Sequence, residues 1–141
     1  MEEYRTHSAA ETEALAEKLA KRLAPGTVIA MRGGLGAGKT AFVRGLAKGL
    51  GIHADVASPT FALVHEYSGA GRTLYHFDMY RITDWNSLYS TGFFDYLDTG
   101  AVLAVEWSEN IWDYLPPEAV TVTIEPQGGD VRRIVLEGDA F

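Results

Sequence analysis

The chain has 141 residues, enough for one hydrophobic core without covalent staples, and no cysteine, which excludes disulfides, thiolate metal sites and cysteine nucleophiles. Its formal net charge of -7 argues against direct non-specific nucleic-acid binding, which requires clustered Lys and Arg to displace counterions. The first residues, Met1 to Arg5, show no basic stretch followed by an apolar one, and no apolar run approaches the ~20 residues of a membrane span; the expectation is a cytoplasmic protein that does not engage a membrane.

In chain order, Ser8-Ala9-Ala10-Glu11 has the spacing of a helix capping box, and Leu15, Leu19 and Leu23 with Ala16 and Ala20 recur at helical intervals up to Pro25-Gly26. Thr12 reads first as a plain first-turn residue. Thr27 to Met31 is a short apolar run that predicts a strand. It leads into Gly33-Gly34-Leu35-Gly36-Ala37-Gly38-Lys39-Thr40, which fits the phosphate-loop spacing G-x-x-x-x-G-K-S/T, and Ala41 to Leu50 then reads as a helix stopped by Gly51. Strand, loop and helix are the context this motif needs. Its glycines let the backbone approach an anion, and the helix start presents a positive dipole end. Lys39 is placed for the β- and γ-phosphates of a nucleotide, and the Thr40 hydroxyl for a magnesium ion bridging them.

Ser58-Pro59-Thr60 is extended or turning, because proline keeps Ser58 out of the α region. Phe61 to Tyr67 and Arg72 to Asp78 read as an antiparallel pair joined by Ser68-Gly69-Ala70-Gly71. Asp84 is placed to cap a short helix through Leu88 to Ser90, ended by Thr91-Gly92. Ala101 to Val105 is apolar throughout, as a buried central strand requires. Val120 to Ile124 and Val131 to Leu136 form a last hairpin around residues 126–130.

A phosphate loop needs a carboxylate at the end of a neighbouring strand to hold magnesium or its waters. Two strands here run into one, at Asp78 and at Glu106, and ligands of open α/β sheets sit at those carboxyl ends. His7, His53, His65 and His76 show no metal-ligand spacing and read as surface or edge residues. Trp107, beside Glu106, is divided between packing and covering a ligand. The expected architecture is α/β, a P-loop NTPase-like three-layer sandwich with a mixed sheet, a parallel core and antiparallel hairpins, spanning residues 1–141 as one domain.

The blocks GGLGAGKTAFVRGLAKGLGI, SPTFALVHEY, LYHFDMYRI, GFFDYL and AVEW, in this order, resemble the TsaE family of bacterial P-loop ATPases. The resemblance extends from the helix at Ser8 to the last hairpin. It implies an ATP-binding and hydrolysing subunit required for threonylcarbamoyladenosine modification of tRNA beside the anticodon, acting on a complex of TsaB and TsaD, with tRNA engaged indirectly. It implies that Gly33 and Leu35 to Thr40 enclose the phosphates of ATP, and that Thr40 and Glu106 bind Mg2+ with Asp78 near the metal waters. Asp78, Glu106 and Lys39 would be the catalytic set. Ser58, Pro59 and Thr60 would form a nucleotide-responsive or partner-facing switch. Thr12, Trp107, Glu109 and an arginine of the last hairpin, Arg132 or Arg133, would contribute further nucleotide contacts. Gly34 departs from the family's usual aspartate. The chain offers no evident arginine finger, so slow hydrolysis without a partner is expected. The alternatives are a small-molecule P-loop kinase, against which stands a middle region with only Arg72 and Arg81 for a lid, and a nucleotide-sensing scaffold that does not depend on hydrolysis. A GTPase would need an N-K-x-D segment, and Asn110-Ile111-Trp112-Asp113 has isoleucine where lysine belongs.

Overall fold

A computed structural model describes residues 1–34, 36–59 and 63–138. One seven-stranded sheet carries the molecule, made of β1 (Glu2–Thr6), β2 (Val28–Arg32), β3 (Val64–Gly69), β4 (Arg72–Asp78), β5 (Val102–Glu106), β6 (Val120–Pro126) and β7 (Arg132–Glu137), in the order β1-β7-β6-β2-β5-β4-β3. The pairs β6–β2, β2–β5 and β5–β4 are parallel, and antiparallel pairings add β3 at one edge and β7 then β1 at the other. The mixed sheet with a parallel core and two flanking hairpins is therefore the expected one.

Alternation along the central strands splits the core in two. Ile29, Met31, Val102, Ala104 and Leu74 face α1 (Ala9–Ala20) and α2 (Lys39–Gly49). Val28, Leu103, Val105 and Phe77 face the opposite layer, built from α3 (Trp85–Ser90), α4 (Phe93–Tyr96) and a 3-10 segment, Ser108–Tyr114. Strands buried on both faces read as continuous apolar runs, which is what β2 and β5 show. Helices α1 and α2 lie backbone to backbone. A Cβ added at Gly45 would stand 2.1 Å from the Glu13 carbonyl oxygen, and one at Gly49 2.3 Å from that of Glu17, so only glycine permits this approach.

Local chemistry sets the boundaries. The Ser8 hydroxyl accepts from the Glu11 N–H at 3.1 Å, whereas the Glu11 carboxylate reaches back to the His7 N–H at 3.2 Å, one residue before the position a reciprocal capping box uses. Asp84 caps α3 as expected, accepting from the Ser87 N–H at 2.7 Å. The β3–β4 turn is Ala70-Gly71 alone, with φ of 52° and 75°, the all-positive turn that matches strand twist. The expected strand from Phe61 begins at Val64; Thr60, Phe61 and Ala62, like Leu35, lie outside the described residues.

Three elements went unread in the sequence. Strand β1 has the pattern Glu-Glu-Tyr-Arg-Thr, with few apolar residues, and is held at the sheet edge by ladder pairing to β7. The Arg133 guanidinium adds bonds to Glu3 at 2.9 and 3.2 Å and draws the Glu3 carboxyl below its ordinary value of 4.5. Helix α4 and the 3-10 segment are four and seven residues long, too short for periodicity to register. Among the described residues no helix is long and apolar enough to cross a membrane.

Candidate functional site

The carboxyl ends of β2, β4 and β5 converge on one cleft of about 350 Å³, lined by Gly36, Ala37, Gly38, Lys39, Thr40, Ser58, Asp78, Glu106 and Trp107. Its floor is the turn from β2 into α2. Gly38 caps α2 with φ 105°, a conformation that excludes side-chain-bearing residues, and it supplies no capping oxygen. The first-turn N–H groups of α2 are thus left for an external anion. Gly33, directly after β2, passes so close to β6 that a Cβ there would lie 2.7 Å from the Ile124 carbonyl oxygen. The loop is also tied from below. Arg132 on β7 donates from Nε to the Ala37 carbonyl at 2.9 Å and from Nη2 to that of Gly36 at 3.2 Å.

Three ionisable side chains are buried in the cleft wall. Lys39, Asp78 and Glu106 are 6%, 6% and 4% exposed. Asp78 and Glu106 are register partners across β4 and β5, which sets both carboxylates at the same sheet edge. The Asp78 Oδ1 accepts from the Tyr80 N–H at 2.9 Å, closing the turn after β4. The Lys39 Nζ stands 3.8 Å from Glu106 Oε1 and 4.6 Å from the centre of the Trp107 ring, and it has no hydrogen-bond partner among the described residues. A buried ammonium lacking hydrogen bonds is costly, and an anionic ligand in the cleft is what would relieve it.

Trp107 follows Glu106 in a left-handed conformation, φ 56° and ψ 40°. That backbone is strained for an aromatic residue and marks a position held by its surroundings. Tyr80 packs on the indole at 5.0 Å between ring centres, and the neighbouring Ser108 hydroxyl donates to the Met31 carbonyl at 3.0 Å, locking the β5 exit against β2.

Most of the residues singled out from sequence are brought together here: Gly36, Ala37, Gly38, Lys39, Thr40, Ser58, Asp78, Glu106 and Trp107, whereas Gly33 lies against β6 and is not among the lining residues. Pro59 is buried behind the cleft and its carbonyl accepts from the Leu63 N–H at 2.8 Å, while Leu35 and Thr60 fall outside the described residues. Others stand elsewhere. The Thr12 hydroxyl is buried against that of Thr6 at 2.7 Å, joining α1 to β1, and Thr12 does not line the cleft. Glu109 is exposed on the 3-10 segment, Arg132 braces the loop from its far side, and Arg133 pairs with Glu3 and Glu125.

The reading of His76 as a surface or edge residue is corrected. It is fully buried on β4 and its Nε2 is hydrogen-bonded to Glu106 Oε2. Strand alternation supplied a signal: His76 has the parity of Leu74 and Asp78, and so faces α2 rather than solvent.

Comparison with known proteins identifies the family. Residues 6–135 match the model of the family described as "Threonylcarbamoyl adenosine biosynthesis protein TsaE". A tRNA threonylcarbamoyladenosine biosynthesis protein TsaE of Bacillus subtilis (strain 168) is 40% identical over 133 residues, covering 94% of this chain and 83% of that protein. The Haemophilus influenzae protein of the same name is 42% identical over 109 residues, 77% of this chain and 68% of its own length. Among solved structures, Bacillus subtilis YdiB superposes with a TM-score of 0.82 at 36% identity, over 96% of this chain and 83% of that one. With the fold, the order of the sequence blocks and near-complete coverage in agreement, the chain belongs to the TsaE family of tRNA threonylcarbamoyladenosine biosynthesis proteins.

Proposed function

We propose that this protein binds ATP with Mg2+ in the β2–α2 cleft and hydrolyses it to support threonylcarbamoyladenosine formation on tRNA by a TsaB–TsaD complex. The observation that carries the reading is the buried Lys39 Nζ, without a hydrogen bond among the described residues and beside two strand-end carboxylates, at the mouth of an uncapped helix start. A cation so placed awaits anionic oxygen, and the first-turn amides of α2 point to the same ligand. The donors Thr40, Asp78 and Glu106 are all oxygen ligands, few in number, which suits a hard cation that keeps several waters and takes its remaining ligands from phosphates.

In this reading Lys39 leaves Glu106 for the β- and γ-phosphates, and the loop amides hold the same oxygens in place. Thr40 and Glu106 would hold a magnesium ion, whose contribution when bound would be positive charge beside the phosphates. Asp78 orients the attacking water, with Glu106 as the second candidate for that role, and attack proceeds in line with the leaving oxygen. Trp107 flanks the nucleotide, and Ser58 carries its presence to the segment that follows. Among the described residues no arginine lines the cleft, so the stabilisation that an arginine would add has to come from a partner and hydrolysis by the isolated protein is slow.

The deciding experiment reconstitutes tRNA modification from TsaB, TsaD and tRNA, with this protein, without it, and with Lys39→Ala. Repeated rounds of modification are expected only with the unaltered protein and ATP. Equal modification in all three mixtures would overturn the proposal.

A further inference from the structure

We infer that His76 is a positioning residue for Glu106, fixing the orientation of that carboxylate after Lys39 has moved to the nucleotide. The inference rests on the reading of the cleft given above.

The argument begins with strand geometry. On β4 His76 shares a face with Leu74 and Asp78, and its register partner on β5 is Ala104. The small alanine leaves room for the imidazole to lean along the sheet toward Glu106, the residue two further on and its diagonal neighbour. There the ring donates from Nε2 to Glu106 Oε2 in the Nε2–H tautomer. The other oxygen, Oε1, is turned toward Lys39 at 3.8 Å and into the cleft. The two carboxylate oxygens thus have different duties: one is anchored inside the sheet and one is left for the site.

A carboxylate only 4% exposed needs partners for its charge. While Lys39 faces it, two groups share that task. Once Lys39 turns to the phosphates, His76 is the donor that stays, because it is fully buried on a central strand and already bonded to Glu106. A second observation separates this arrangement from ordinary core packing. The His76 Nδ1 is buried with no hydrogen-bond partner among the described residues, a cost that an apolar residue at this position would not carry. The protein accepts an unpaired ring nitrogen in order to place a donor on Glu106, as ligand-orienting groups behind metal sites do.

The test compares His76→Gln, whose amide can reach the place of Nε2, with His76→Asn, whose shorter amide cannot, and with His76→Leu. In the full TsaB–TsaD mixture, His76→Leu and His76→Asn should lower kcat for ATP hydrolysis by about 10–100-fold and raise the magnesium concentration needed for half-maximal rate. Binding of ADP without magnesium should stay unchanged, and His76→Gln should recover most of the rate. If His76→Asn and His76→Gln behave alike, or if His76→Leu folds and keeps the parent's kcat and magnesium dependence, the inference is wrong. A measurement without nucleotide separates its failure from failure of the ATPase reading. Nitrogen-15 NMR of the histidine rings should show the His76 proton on Nε2, with the resonance shifted by Glu106→Gln. A proton found on Nδ1 with none on Nε2 would overturn the role of His76 even if hydrolysis is real. A proton on Nε2 that responds to Glu106→Gln, in a protein that never hydrolyses ATP, would uphold the contact and overturn the ATPase reading.

Discussion

At the residue scale the cleft is a set of charges that do not satisfy one another. Lys39 and Glu106 are both buried and 3.8 Å apart, too far for the ammonium to donate a hydrogen bond, so their attraction offsets only part of the cost of removing both from water. A double-mutant cycle exposes this. Lys39→Met alone leaves Glu106 with His76 as its remaining fixed partner and should cost about 1–3 kcal/mol of unfolding free energy. Adding Glu106→Gln removes the stranded charge while keeping an acceptor for His76, and stability should return to the parent value or above it. Urea unfolding of the four proteins reads the coupling; additive losses would mean that Lys39 and Glu106 do not interact in the ligand-free protein. Gly34, where the family resemblance implies aspartate, is a permissive position in the loop. A Cβ there would meet no atom of the described residues within 4 Å, so a side chain at this position has room.

At the element scale, α2 holds the cleft in place through its grip on α1. Gly45 and Gly49 let the two helices touch along their backbones, and Glu13 secures the contact through ion pairs with Lys48 and with Arg44 at 3.8 Å. Gly45→Ala gains helix propensity but drives a methyl group into the Glu13 carbonyl, so it should destabilise by about 1–3 kcal/mol net. Gly34→Ala, with open space, should change stability little. Thermal unfolding of both variants checks this, and equal effects would show that the helix contact is looser than described. These elements also show what the sequence made legible. The glycine-rich loop, the strand-end acids and both hairpins announce themselves because turn chemistry and apolar runs are local signals. Strand β1 does not, since its ladder partner β7 lies at the other end of the chain and its own residues are mostly polar. His76 was missed for a related reason: a lone histidine reads as solvated until the register of β4 on β5 sets it against Glu106. Thr12 is the opposite case. The family resemblance implies a nucleotide contact, and the structure gives its hydroxyl a partner in Thr6.

For the whole molecule, the cleft lies where three strands of the parallel core end, and the loop it contains is tied to the far hairpin by Arg132 and to the sheet by Lys39 and Glu106. Ligand binding at such a junction is linked to global unfolding rather than to a local loop. A ligand present at 100 times its Kd stabilises the native state by about 2.7 kcal/mol. For a domain of this length that corresponds to a rise in Tm on the order of 10 °C. ATP with magnesium should therefore raise Tm by that order, and Lys39→Ala should abolish the rise while remaining folded. Arg132→Ala should shrink it, because the Gly36 and Ala37 carbonyls lose the donors that hold the loop open to phosphate. GTP at the same concentration provides the control for base preference, since the chain lacks a guanine-reading N-K-x-D segment. A shift that survives Lys39→Ala would place the nucleotide somewhere other than this cleft, and an equal shift with GTP would remove the case for an adenine-specific site.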